Sequence, residues 1–499
     1  MASNHDDDKM TIALNDKLRA IQESIPLFIP ELILSIGIIV LLIAGLLIRS
    51  HRVIYTLALL AVCISFFQII SNWSQEFEGR DLFGMLHAGS FSMFLKILFD
   101  VGAALALVMS FQKDIITKHR SEYTALILTV TLGAHLIVMS TNLVMVFLSL
   151  ELMSISSYIL TGFVFKKESS EGSLKYFLFG SVASAVMLYG FTILYGMSGT
   201  LDFTSGAFAE KLISSGSPLL FVAVMLSFSG FLFKISAVPM HPWAPDVYEI
   251  SPMPVVAFFS VVPKLAGLGI LTIVIRTLAT TSQYDWQIVL GIVAFLSITV
   301  GNFSALRQKS AKRMMAYSSI AQSGFLLLGI IAYSDQGLHF MLFYAVVYLL
   351  GNYAVFIGLQ FFERNNIYSI DDFKGSGRAF LWPQLFLLIG LISLTGLPPT
   401  AGFTAKLFIF SSLWESYQVT GKPFLLGLVL FGLLNTIVAL FYYLRIPFFA
   451  FIKSGVRNEI HVSDPVKKLF GLILVLLILV LFFTPNLLMS LINRITFVL

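Results

Sequence analysis

Four ionisable residues stand inside runs that should carry none. Lys234 closes the apolar run LFVAVMLSFSGFLFK over residues 220–234, and Lys264 interrupts VVAFFSVVPKLAGLGIL over 255–271. Lys406 lies in GLPPTAGFTAKLFIF (396–410), and Glu151 in FLSLELMSISSYIL (147–160). A charge at the centre of a membrane helix costs roughly 2.5–3.5 kcal/mol on insertion scales, so such groups face a bundle interior or an aqueous cavity and mark ion or proton paths by default. Removal from water favours the neutral form of any amine, which makes a deep lysine a credible place for a proton to stop. Glu151 is the natural partner of Lys234. Their pairing reads as a switch on the proton affinity of the lysine, with a static pair fixing helix register as the alternative.

Two further residues join this set. His241 follows the break at Pro239 within reach of both flanking helices, and imidazole suits proton transfer between them. A structural histidine is the other reading. Lys175 opens a sixth apolar stretch beside a basic loop, as a relay station or as a side chain snorkelling to the interface. Lys96 and Asp100 have i,i+4 spacing and are expected to neutralise each other. His135 has no assigned role, and Tyr158, Ser319 and Gln322 are polar enough to hold water near these groups.

The elements that carry them follow from composition. Of 499 residues, 57% are hydrophobic and 12% charged, which excludes an ordinary soluble enzyme and fits an all-α polytopic membrane protein. Cys63 is the single cysteine, so neither a disulfide framework nor a cysteine-held cluster is available within the chain. The formal net charge of +5 requires no nucleic-acid partner. Apolar stretches of about 20 residues predict about fourteen spans, near 26–48, 53–72, 90–111, 124–140, 142–165, 173–198, 218–238, 253–276, 286–306, 312–333, 338–362, 381–415, 426–448 and 468–490. The seventh is broken at Pro239, and the twelfth divides around Pro398 and Pro399.

Basic residues gather after the odd-numbered spans: Arg49 and Arg52, Lys113, Lys118 and Arg120, Lys166 and Lys167, Arg307 to Arg313, Arg364, Lys374 and Arg378, Arg445 to Lys468. The link after the seventh has none. This bias predicts that odd-to-even connections are cytoplasmic and that both termini lie on the opposite, periplasmic side. The seventh and twelfth spans lie five apart, each broken by proline and each with a lysine. That is the pattern expected of inverted repeats, here spans 4–8 and 9–13. The expected organisation is a polar tail (1–25), helices 1–3 (26–111), a first repeat (124–276), a second, inverted repeat (286–448) and helix 14 (468–490). In the tail, DDDK before Met10 reads as an expression-tag remnant or a natural polar extension.

The stretch FKISAVPMHPWAPDVYEISPMPVVAFFSVVPK (233–264), with FLSLELMSISSYIL, KRMMAYSSI (312–320) and GLPPTAGFTAKLFIF, resembles the proton-antiporter-type membrane subunits of respiratory complex I. The resemblance covers nearly the whole chain. It implies fourteen helices, two inverted five-helix repeats with helices 7 and 12 broken, and a half-channel in each repeat. By resemblance, Glu151 and Lys234 match the glutamate–lysine pair, Lys264 the connecting lysine and Lys406 the terminal one. Lys175 matches the helix 6 lysine and His241 the histidine after the helix 7 break. A lysine at 406 argues against subunit M, which usually has glutamate there, and a chain stopping at Leu499 argues against subunit L. Gln322 departs from members with a titratable histidine at its position.

The resemblance further implies proton translocation in an NADH–quinone oxidoreductase of a bacterial inner membrane, beside subunit M and a small subunit K. It places no cofactor in this chain, with FMN, iron–sulfur clusters and quinone in partner subunits. A subunit of a multisubunit Na⁺/H⁺ antiporter without a redox partner is the alternative. A structural membrane spacer is a third.

Overall fold

The computed structural model describes residues 25–497 apart from 49, 74–79, 83, 112–117, 282–283 and 456–463. The N-terminal tail with Met10, and Arg49, Lys113 and Arg457 of the charge pattern, lie outside the described residues. In lipid every backbone polar group needs an internal partner, and the chain meets that demand with helices. In chain order the long ones are α1 (Ile29–Leu47), α2 (His51–Trp73), α3 (Ser90–Ser110), α4 (Arg120–Met139), α5 (Leu143–Gly162) and α6 (Lys167–Ser198). There follow α7 (Leu219–Ile235), the short α8 (Trp243–Ile250), α9 (Met253–Thr281), α10 (Trp286–Leu306), α11 (Ala311–Ile331) and α12 (Asp335–Glu363). The series closes with α13 (Leu381–Thr395), α14 (Ala401–Thr420), α15 (Pro423–Tyr443) and α16 (Pro465–Phe483). A two-stranded hairpin, β1 (Arg80–Leu82) and β2 (Leu86–Ala88), precedes α3.

Among the described residues, 12 helices are long and apolar enough to cross a membrane. The seventh and twelfth stretches are each split into two pieces. Helix starts follow local chemistry. Asn142, Ser310 and Ser334 each accept a backbone N–H in the first turn of the helix that follows. The sixth helix starts at Lys167 rather than at 173, because the Ser169 hydroxyl accepts the Lys166 N–H and donates back to its carbonyl. That places Lys175 in its third turn.

Burial sorts the helices into centre and rim. The most apolar window of each of α9, α11 and α12 is 94% buried, against 33% for α1 and α16. Around the centre, α4 packs on α1 and α5, α6 on α7, α10 on α11 and α15, and α13 on α12. Three of the connections that carry basic residues meet on one face: Lys166, Glu249, Ser251, Lys312, Glu363 and Arg364 line one depression of about 490 Å³.

Candidate functional site

Both breaks are built alike. The chain leaves α7 at Ser236 with φ 55° and leaves α13 at Gly396 with φ 87°, turning each helix end sharply. A proline link follows, after which the chain re-enters helix at Trp243 and at Ala401. The prolines at 239, 242, 398 and 399 lie on the outer surface of the chain. At Gly396 an added Cβ would come within 2.7 Å of the Lys406 side chain, so glycine there serves both the positive φ and the space for the lysine stem.

The three lysines are buried and, among the described residues, none forms an ion pair. Lys234 Nζ has no hydrogen-bond partner and faces the rings of Phe233 and Tyr158 at 5.6 and 5.8 Å. Lys264 Nζ donates to the Ser319 carbonyl (3.0 Å) and hydroxyl (2.9 Å), with the Ser323 hydroxyl at 3.4 Å. Lys406 Nζ donates to the Thr395 carbonyl at 2.8 Å and lies 4.3 Å above the Phe325 ring. Neutral dipoles and aromatic faces hold all three charges.

Helix α11 joins the two breaks. The Ser323 hydroxyl donates to the Ile235 carbonyl at 2.6 Å, at the end of α7 and next to Lys234. Its neighbour Gln322 donates to the Leu394 carbonyl at 2.8 Å, at the end of α13 and next to the carbonyl that holds Lys406. Two adjacent polar side chains thus satisfy carbonyls that the broken helices expose. Tyr344 donates to Gln322 Oε1, and Gln322 Nε2 donates to the Tyr443 hydroxyl at 3.1 Å. Ser318 and Tyr443 share a hydrogen bond of 2.5 Å, and the Tyr248 hydroxyl lies 3.4 Å from Ser319. The result is a polar thread centred on Lys264 and α11 that ends on the backbone beside Lys234 at one break and beside the carbonyl that holds Lys406 at the other.

The remaining expected residues fall around this thread. Glu151 is half-buried on α5, and its buried Oε1 has no hydrogen-bond partner among the described residues, so the expected contact with Lys234 is open in this conformation. Two turns along α5, Tyr158 presents its ring to Lys234. His241 is half-buried in the first break, with Nδ1 buried and without a hydrogen-bond partner among the described residues. Lys175 points outward and pairs with Glu171 at 2.9 Å.

The expected Lys96–Asp100 couple does not form. Lys96 Nζ instead reaches Glu31 Oε1 on α1 at 2.7 Å, and Asp100 faces His135 on α4 and Ser65 on α2. Helix packing brings the Glu31 carboxylate of α1 to Lys96, while Asp100 is taken up by His135 and Ser65 on other helices. Sequence reasoning also missed Ser323, Tyr248, Tyr344 and Tyr443. A serine or tyrosine in an apolar helix carries no signal of which group it faces; only the pair Gln322–Ser323 beside Ser319 hinted at a polar stripe.

Comparisons with known proteins bear on the family and the fold of the chain. The family described as NADH:quinone oxidoreductase/Mrp antiporter, TM, matches residues 140–432. A curated relative, NADH-quinone oxidoreductase subunit N of Chlorobium chlorochromatii, is 35% identical over 88% of this chain and 88% of its own length. Among solved structures, a chain of respiratory complex I from Thermus thermophilus with bound aureothin superposes with a TM-score of 0.79. It is 27% identical and covers 94% of this chain and 100% of that one. A chain of the Mrp complex from Dietzia superposes with a TM-score of 0.80 at 17% identity, over 94% of this chain and 97% of that one; this likeness is one of fold.

Proposed function

The chain belongs to the family of NADH:quinone oxidoreductase and Mrp antiporter membrane subunits, and from that premise we propose that it is a proton-translocating membrane-arm subunit of an NADH:quinone oxidoreductase. The observation that carries this reading is three buried lysines with no carboxylate partner among the described residues, with Ser319 holding Lys264 and with Gln322 and Ser323 bound to the backbone beside Lys406 and Lys234 at the two breaks. Such a lysine can release its proton without stranding a buried anion. Electrons stay in partner subunits, which hold FMN, iron–sulfur clusters and quinone; the single cysteine of this chain leaves it no thiolate set for a cluster.

Charge displacement driven by quinone chemistry would bring Glu151 and Lys234 together or part them, changing the proton affinity of Lys234. The proton then passes by His241 and the Ser323 side to Lys264, and by Ser319 and Gln322 to Lys406. Gln322 cannot titrate, so its part is to orient donors and acceptors. Lys175 joins the relay only from the outer surface, at a junction with a neighbour. Fourteen spans in two inverted five-helix repeats, α4–α9 and α10–α15, account for the matching breaks. Non-helical backbone at membrane depth needs a protein cover. The outward prolines of both breaks therefore fit adjacent subunits such as M and K. The basic face is assigned to the cytoplasm of a bacterial inner membrane, with both termini on the periplasmic side.

The test is NADH-driven proton pumping by the assembled complex carrying Lys234→Ala or Glu151→Ala. Pumping should fall in both; unchanged pumping with intact assembly would sink the relay. A Na⁺/H⁺ antiporter subunit is the competing reading. Copurification with flavin and iron–sulfur subunits separates the two.

A further inference from the structure

A second group of buried charges lies away from the thread. Glu31 of α1, Lys96 and Asp100 of α3 and His135 of α4 are all at most 1% exposed. Glu31 Oε1 takes Lys96 Nζ at 2.7 Å and His135 Nδ1 at 3.1 Å. The other ring nitrogen, Nε2, stands 3.2 Å from Asp100 Oδ1, close enough for an ion pair though not aligned as a hydrogen bond, and the Ser65 hydroxyl of α2 donates to Asp100 Oδ2 at 2.8 Å. One imidazole is thus set between two carboxylates, one at each ring nitrogen.

Two arguments converge on a bound proton. A neutral imidazole has one N–H, so one of the two carboxylates would meet a lone pair instead of a donor. Two carboxylates and one ammonium also leave one uncompensated negative charge in a dry site, which burial does not tolerate cheaply. One further proton on the ring removes both problems.

We propose that Glu31, Lys96, Asp100 and His135 form an off-axis proton-binding site, in which a second proton on the imidazole is held between the two carboxylates and completes the charge balance that docks α1–α3 on α4. The proton is taken from water and no electron moves. The site is separate from the thread. Leu95 and Val138 close on Gly269, and Val262 closes on Gly102, so apolar contacts lie between it and α9, whose Lys264 reaches the opposite way to α11. Further along α4, Tyr123 shares a hydrogen bond with Ser110 of α3 at 2.9 Å and lies near Tyr55 of α2. Cys63 lies on α2 near Asp100, α5 offers Ser149 and Met153 against Gly133, and β2 carries His87 towards the Met139 end.

The experiment is solid-state NMR of the full chain in lipid near neutral pH, with ¹⁵N in the histidine rings and ¹³C in the Asp and Glu carboxyls. His135 touches both an aspartate and a glutamate, so its ring is recognised in the unmodified protein by through-space transfer to both. The expected ring has both nitrogens protonated. Asp100→Asn removes one negative charge and should abolish the doubly protonated signal. A singly protonated ring in the unmodified protein would overturn the proposal, as would a doubly protonated ring that persists in Asp100→Asn.

Discussion

Lys264 and Lys96 are equally buried, each 1% exposed in an apolar helix, yet they are held in opposite ways. Lys264 is met by the hydroxyl and carbonyl of Ser319, and Lys96 by the carboxylate of Glu31. Dipoles stabilise an ammonium only partly, and they remain neutral when the proton leaves. A carboxylate stabilises it fully and is stranded if the proton leaves. The thread is therefore suited to passing protons on, and the group around His135 to keeping one.

The largest effect expected is on transport. Lys264→Met should lower NADH-driven pumping at least about tenfold, since a positioned proton-transfer group contributes that much or more. Its thermal stability should stay level or rise, because an apolar side chain replaces a lone charge. Pumping at the unmodified level would erase the distinction between the two lysines. Lys96→Met should act the other way, costing about 3–5 kcal/mol by leaving one of the two buried carboxylate charges uncompensated, read as a lower unfolding temperature or poorer assembly. Adding Glu31→Gln should restore much of that loss, and failure to do so would mean that charge balance is not what holds α1 to α3.

A smaller effect tests the join between the breaks. Gln322→Leu strands the Leu394 carbonyl and the Tyr344 hydroxyl, at about 1–3 kcal/mol for each buried group left unpaired, while Tyr443 keeps its bond to Ser318. Thermal unfolding should show it, together with slower pumping. Ser323→Ala strands the Ile235 carbonyl and serves as the matched variant at the other break. The smallest effect belongs to Lys175→Ala, which breaks an exposed pair with Glu171 and should leave the unfolding temperature of the purified chain unchanged. A clear drop would show that Lys175 is buried in the protein as purified.

Much of the thread was legible. Lys234, Lys264 and Lys406 stood out because a charge within twenty apolar residues has few bland explanations, and the prolines beside two of them marked the breaks. The legible part ended at partner choice. Spacing paired Lys96 with Asp100, but helical neighbours four residues apart are only one option when other helices approach as closely. Glu31 sits in the first turn of α1, beside Pro30, where an acidic residue reads as ordinary helix-start chemistry. His135 alone on its helix gave no hint of two carboxylates around it. Lys175 has the same local signature as a buried lysine near a helix start, and only the packing of α6 shows that it faces outward.

The sequence by itself determined that the chain crosses a membrane many times, where two helices break and which side chains carry charge into the apolar region. Those are properties of length, hydropathy and backbone chemistry, each decided within some twenty residues. Tertiary structure alone decided which acceptor each buried charge meets, that Gln322 and Ser323 tie the two breaks together, and that His135 lies between Glu31 and Asp100. Coulomb and hydrogen-bond energies fall off over a few ångströms, and residues 104 positions apart reach that distance only once the helices have packed.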